Sequence, residues 1–204
     1  MDDTDFDTAL IASALTLAGT DGWRSVSVAA AARAADLPLS RARVRFPGKA
    51  GILLGFGRMA DELTLEDATD EGPVRDRLFD LLMRRFDALQ AQRAGVLAVM
   101  RALPFDPCTA VLLACATRRS MRWMLEAAGG SSTGLTGELR VKGLVAVWLW
   151  AMRAWERDES EDLTGTMAAL DTALSRAEQA AGWLTGRPAV KVDAETPKGE
   201  PTTE

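Results

Sequence analysis

Residues 25–49 read SVSVAAAARAADLPLSRARVRFPGK, and this stretch decides the fold. Ser27 stands before the alanine-rich run 28–35 with a hydroxyl suited to capping a helix, and Pro38 forces its predecessor out of helical geometry and closes the run. Ser40 is placed to cap a second short helix over 41–46, which Pro47 and Gly48 stop. A longer helix follows from Lys49 to about Glu66, weakened by Gly51, Gly55 and Gly57. Upstream, Leu10, Ile11, Ala14, Leu15 and Leu17 fall mostly at helical spacing, Gly19 with Asp21 and Gly22 ends that helix, and Trp23 plugs the turn. Two short helices joined by a tight turn, with a helix on either side, predict a helix-turn-helix.

The positive charge of the chain sits in the same place. Seven basic residues and one acid lie between Arg24 and Arg58, so this segment is net +6 in a protein of formal charge −5, and the remainder is −11. A basic head on an acidic body points to a polyanion partner, double-stranded DNA. At 100° per residue, Arg41 and Arg45 fall within about 40° of each other while Ala42 and Phe46 share another face. They are therefore read as a groove-facing pair, because the planar guanidinium donates two parallel hydrogen bonds to guanine or phosphate. Arg43, turned away, is read as a flanking phosphate contact, and Lys49 at the start of the next helix as part of a phosphate clamp. Ser27 and Ser40, at the two helix starts, complete the candidate DNA-contact set.

Composition removes most other functions. The 204 residues are 48% hydrophobic, enough to bury a core. No apolar run approaches the roughly 18 to 20 residues needed to cross a bilayer, and MDDTDFD at 1–7 is acidic where a secretory signal is basic, so a soluble cytoplasmic protein is expected. Cys108 and Cys115 lie seven apart in a helix, about 10 Å between Cα atoms, and are expected to be free, buried thiols. Histidine and tyrosine are both absent, which excludes a Ser-His or Cys-His nucleophile pair and any zinc site with histidine. Glycines 55 and 57 have no preceding strand and no following glycine at the spacing of a phosphate loop. No catalytic residue, metal or cofactor is therefore expected, and the chain is not read as an enzyme.

Long amphipathic helices are predicted over 74–91, 95–103, 107–128, 135–155 and 163–184, separated by turn chemistry at FDP, GGSSTG and RDESED. The fold class is all-α with about nine helices. In the last helix Leu163, Met167, Leu170, Leu174, Ala177 and Ala181 follow 4-3-4-3-4 spacing, as in a coiled-coil seam. The helix before it is apolar nearly all round, with Trp150 on a face that needs a neighbour. These seven residues are read as a homodimer interface. Phe86, Leu89, Met100, Leu112, Cys115, Trp123, Met124, Leu144, Val147, Trp148 and Met152 are read as lining a pocket for a hydrophobic small molecule or lipid, with Arg118, Arg119 and Arg122 placed to orient an anionic head. The expected organisation is a DNA-binding head over 1–50, a ligand-binding and dimerisation body over 51–184, and a polar, proline-bearing disordered tail over 185–204.

The residues of 25–49 resemble the N-terminal DNA-binding domain of tetracycline-repressor (TetR) type regulators. Ser27, Val28, Ala32, Ala35, Phe46 and Lys49 fit that pattern without gaps. Four positions depart from it: Asp36 stands where a turn glycine is usual, Pro38 where a serine is, Arg43 where a phosphate-contacting tyrosine is, and Arg45 where histidine or tyrosine is common. The resemblance implies a nine-helix, one-component transcription regulator that dimerises through its last two helices, binds operator DNA and is released by a ligand. A second resemblance covers RSMRWMLEAAG at 119–129 and VWLWAMRAWERDESEDLTGTMAALD at 147–171, with DGW at 21–23 and DLPLS at 36–40. These are similar to the lipid-binding accessory protein of ubiquinone biosynthesis, which shares the TetR architecture without operator binding. It implies isoprenoid lipid in the body and peripheral membrane contact through an added amphipathic helix. Here the residues after Asp171 reach only about Leu184 before the polar tail, so that helix is expected to be truncated or absent.

Overall fold

The computed structural model describes residues 1–66, 68 and 71–185, the side chains of 181–185 excepted. Among these residues the regular structure is helical, with no strand: α1 (Asp3–Asp21), α2 (Val28–Ala34), α3 (Leu39–Arg45), α4 (Lys49–Glu66), α5 (Val74–Gln90), α6 (Arg93–Ala102), α7 (Pro107–Ala127), α8 (Gly134–Arg157) and α9 (Thr164–Thr185). Beyond Thr185 the expected disordered tail lies outside the described residues. No described helix is long and apolar enough to cross a membrane.

Three local expectations change. Helix α1 does not stop at Gly19 but runs to Asp21, and Gly22, at φ 81°, closes it with its N–H on the Ala18 carbonyl. Gly19 instead serves packing, since a Cβ there would lie 3.0 Å from Ala94 Cβ on α6. Ser27 does cap α2, accepting from the Ala30 N–H at 3.1 Å, but α3 begins at Leu39 behind Pro38 with no side-chain cap. Ser40 therefore sits inside the first turn. Pro38, with φ −60° and ψ 120°, is the extended residue before the helix, so the start lies two residues earlier than expected. In the turn between the two helices Asp36 adopts φ 52°. That left-handed position favours glycine, and aspartate is among the few other residues that occupy it readily.

The buried apolar side chains form two clusters. The first joins Phe6, Leu10, Ile11 and Leu15 of α1 to Trp23, Ala31, Ala42 and Phe46, and also takes in Ile52 and Leu53 of α4. The second joins Leu82 and Phe86 of α5, Met121 and Met124 of α7, Trp148 and Trp155 of α8, and Leu170 and Leu174 of α9. Phe86 stacks on Trp148 with ring centroids 4.5 Å apart. Phe56, on α4, packs against both clusters, so one helix is shared by head and body.

The other link between them is a close crossing of α1 and α6. A Cβ on Gly95 would lie 2.3 Å from the Leu15 carbonyl oxygen, a backbone atom that cannot swing away. Gly95→Ala is expected to cost about 1–3 kcal/mol through forced separation of the two helices. Gly57, where a Cβ meets nothing within 4 Å, is the control: Gly57→Ala should stabilise by about 0.5–1 kcal/mol through helix propensity alone. Urea denaturation of both variants separates the effects.

Helix α9 lies along α8 in the same chain, and this takes Leu163, Leu170 and Leu174 out of the expected interface. Leu163, Leu170 and Leu174 are buried in the body cluster, and Met167 and Ala177 are partly covered. A 4-3 seam requires a facing helix, and α8 of the same chain supplies it. Of the expected set Trp150 faces outward, 54% exposed, with the Arg176 guanidinium 5.9 Å from its ring centre; the side chain of Ala181 lies outside the described residues.

The α8–α9 junction is tied by Asp158. Its carboxylate accepts from Ser160 Oγ at 2.5 Å, Thr166 N at 2.6 Å and Thr166 Oγ1 at 2.8 Å. Hydrogen bonds from Ser160 and then from Thr166 outweigh burial and lower the Asp158 carboxyl to about 2. Because the folded pKa lies below the unfolded one, this contribution is complete above about pH 4 and is lost as pH falls towards 2. In an acid-unfolding series Asp158→Asn should therefore lose stability at neutral pH and show a smaller further loss between pH 4 and 2 than the wild type.

Cys108 and Cys115 are both exposed, against expectation. With Val111, Leu112 and Trp123 they form an apolar stripe on the outward side of α7, and periodicity alone does not say which side of a helix faces in.

Candidate nucleic-acid interface and ligand cavities

The two arginines expected to face a DNA groove are bound to α1 instead. Arg41 donates from Nη2 to Asp3 Oδ1 at 2.5 Å and to the Asp2 carbonyl at 2.8 Å, and from Nη1 to the Met1 carbonyl at 3.2 Å. Its guanidinium lies 4.5 Å from the centre of the Phe6 ring. Arg45 donates from Nη1 to Asp3 at 3.0 Å and from Nε to Asp7 Oδ1 at 2.9 Å, and Nη2 closes a bidentate pair on Asp7. The hydrogen bond from Arg41, followed by the charge of Arg45, holds the Asp3 carboxyl below its usual range, while Asp7 raises the Arg45 guanidinium. The acids stand four apart on α1, as the arginines do on α3, so each pair projects from one side of its helix. That matched spacing was the signal in MDDTDFD which reading the segment only as a non-secretory terminus passed over.

Lys49 is turned the same way. Its Nζ donates to the Trp23 carbonyl at 3.3 Å and lies 5.4 Å from the Trp23 ring centre, at the rim of the head core rather than in an open phosphate clamp. Ser27 Oγ accepts the cap hydrogen bond of α2. The outward face of the helix-turn-helix is made by Arg33, Leu39, Ser40, Arg43 and Val44, all exposed, with Val44 at 81%. Among the described residues Arg43 donates one long bond, to the Pro47 carbonyl at 3.4 Å.

The expected pocket divides in a similar way. Phe86 and Met124 are fully buried and Trp148 stacks on Phe86, so they fill the core; Leu89 is buried beside them, and Met100 and Met152 pack against its edge. Leu112 and Cys115 face outward. Leu144 and Val147 do line a hollow, about 460 Å³ between α5, α8, α9 and the end of α7, together with Leu78, Leu125, Leu139 and Leu174. Arg75 at its edge is held by Asp171 at 2.5 Å and Ser175 at 2.9 Å. Arg118 and Arg122 are spent on Glu138, whose carboxyl they hold low.

A second hollow of about 650 Å³ lies between α4, α5 and α7. Trp123 and Arg119, both singled out in the sequence, line it with Leu53, Leu65 and Leu113, and so do Arg58, Asp61, Glu62 and Arg85, which were not. Arg85 is only 6% exposed, pairs with Asp61, and lies 5.3 Å from the Trp148 ring centre. Ser120 Oγ donates to the same carboxylate at 2.5 Å. Arg85 Nε is buried without a hydrogen-bond acceptor among the described residues. Burial lowers its guanidinium to about 10, so it stays charged at neutral pH. The sequence signal was weak: the adjacent arginines in LLMRRFDALQ read as the wet side of an amphipathic helix.

Among the solved structures that this chain resembles are TetR transcriptional regulators. The one from Nitrosomonas europaea ATCC 19718 superposes with a TM-score of 0.70 at 23% sequence identity, over 85% of this chain and 98% of that one. A TetR transcriptional regulator from Rhodococcus sp. RHA1 gives 0.60 at 16% identity, over 86% and 97%. A TetR-family regulator from Streptomyces coelicolor gives 0.60 at 22%, over 91% and 87%. No protein-family model and no curated protein matches the chain. The fold is therefore the one these regulators share.

Proposed function

We propose that this chain is a cytoplasmic one-component transcription regulator of the TetR type, a homodimer that binds operator DNA through α2 and α3 and is released by a hydrophobic small molecule. The observation that carries the reading is the exposed outer face of α3, where Ser40, Arg43 and Val44 project from a rigid head. In this reading Arg43 and Arg33 meet phosphate or guanine, Ser40 meets phosphate, and Val44 offers a methyl contact to thymine. Arg41 and Arg45 act on α1, setting the pose of α3 rather than touching bases. Leu149 and Trp150, exposed on α8, supply apolar area for the second copy. Two such heads must present α3 about 34 Å apart to read successive major grooves. A ligand in the hollow lined by Leu144 and Val147 would alter that spacing through the body, and α4, packed in both cores, connects body to head.

The test is binding of the purified protein to DNA from its own upstream region across a salt series. Arg43→Ala with Val44→Asp is expected to weaken binding at least about tenfold, since a phosphate contact is lost and a like charge introduced. A wild type that binds no better than this variant at low salt overturns the reading.

A second reading is favoured by two observations: two of the three arginines on α3 are paired with acids of α1, and the Leu144 hollow is apolar. It is the lipid-binding accessory protein without operator binding. Native mass spectrometry showing retained quinone-like lipid, with no shift of DNA, selects it.

A further inference from the structure

We propose that the hollow between α4, α5 and α7 binds a small amphiphilic anion, a carboxylate carried on an apolar or aromatic body, with Arg85 as its deep cationic anchor. The site is distinct from the apolar hollow between α8 and α9.

Four observations converge on that chemistry. At about 650 Å³ the space suits a small organic molecule rather than a lone ion. Its charged lining is Arg58, Arg85 and Arg119 against Asp61 and Glu62, leaving one positive charge uncompensated. Arg85 has five donors and one carboxylate beside it: Asp61 turns Oδ1 to Arg85 and gives Oδ2 to Ser120, and Arg85 Nε has no acceptor among the described residues. A buried donor left unsatisfied is costly, and a carboxylate is the group that meets a guanidinium two bonds at a time. The other walls are apolar, Leu53, Leu65 and Leu113, and at the rim Trp123 is 59% exposed, an indole with one face available to cover a ligand.

A simple phosphate or metal ion would leave that apolar surface wet. A neutral hydrocarbon would leave Arg85 Nε without an acceptor. Only a molecule with both parts answers the lining as a whole. Entry of a carboxylate also sets it in competition with Asp61 for Arg85, and Asp61 is on α4, the helix shared by both cores. Binding itself requires no DNA, so it is measured independently of the regulator reading.

The probes are 2-naphthoate and its uncharged partner 2-naphthamide, titrated calorimetrically into the full chain. The carboxylate should bind saturably and at least about tenfold more tightly than the amide, as expected for a charge-assisted pair at a partly desolvated arginine. Trp123→Ala and Arg119→Gln, both at the solvent-facing rim, should each weaken naphthoate by about three- to tenfold with unchanged thermal unfolding. Arg85→Lys keeps the charge facing Asp61 and loses the planar fork, and should remove the preference for carboxylate over amide. Leu139→Asp, in the other hollow, should leave naphthoate binding unchanged. Equal affinity for acid and amide, no binding at all, or a loss on Leu139→Asp but not on Trp123→Ala overturns the proposal.

Discussion

Asp61→Ala will lower the unfolding free energy by about 3 kcal/mol, the lower end of the range for removing one partner of a buried ion pair. The lower end applies because the two partners are unequally covered: Asp61 keeps 22% of its side chain exposed while Arg85 keeps 7%. Truncating the acid leaves the guanidinium inside the α4–α5–α7 contact with the Trp148 face as its remaining close partner. Ser120 Oγ loses its acceptor at the same time. Burial works against the charge of Arg85, so the cost of desolvating both ions offsets much of what their attraction gains. It follows that Asp61→Leu with Arg85→Met should lie within about 1 kcal/mol of wild type or above it, far from the sum of the single changes. Urea unfolding of the four proteins in the cycle gives the coupling. A single-variant loss under about 1 kcal/mol would mean that water reaches the pair in solution.

The helical plan was legible in the sequence because its carriers are local: Ser27 as a cap, the prolines at 38 and 107, and the glycine-bearing turns each act within a few residues. What the sequence hid were pairings between distant segments. The 4-3 seam of α9 was real, but its partner was α8 of the same chain, since spacing specifies that a helix face must be covered and not by what. Trp123 and Phe86 looked alike as large apolar residues at helical spacing, yet one stands at a solvent-facing rim and the other fills the core. Asp61 and Arg85 escaped notice for the converse reason: charges on amphipathic helices are usually solvated, and only the three-dimensional meeting of α4 with α5 buries them. For the head, helical angle correctly put Arg41 and Arg45 on one side of α3. It could not tell whether that side met DNA or α1.

That last distinction yields an expected gain of function. Asp3→Asn with Asp7→Asn should tighten DNA binding by about tenfold near 50 mM salt, provided the chain binds operator DNA as proposed. In the wild type each guanidinium already has carboxylate partners, and Arg41 also holds two backbone carbonyls and the Phe6 face. A phosphate must displace these contacts to gain its own, so the basic block attracts DNA less than its composition suggests. Asp3 is solvent-facing and Asp7 largely covered, at 64% and 19% of the side chain exposed, so the variant should lose little from the first pair and somewhat more from the second, and remain folded with α1 still anchored by Leu10, Ile11 and Leu15. Salt dependence separates two causes of a gain. If the freed arginines take up two phosphates, the slope of log affinity against log salt steepens by about 1.8; if only repulsion between α1 and DNA has gone, affinity rises with the slope changed by much less than that. Acidification does not substitute for the mutations. Arg41 and Arg45 lower the folded pKa of Asp3, so the clasp is complete above the ordinary carboxylate pKa and opens only as pH falls through that lowered value. Between pH 5 and 8 wild-type affinity should therefore show no step from this group. An unchanged affinity in the double variant would place Arg41 and Arg45 outside the DNA interface, leaving Arg33, Ser40, Arg43 and Val44 as the whole of the reading surface on the head.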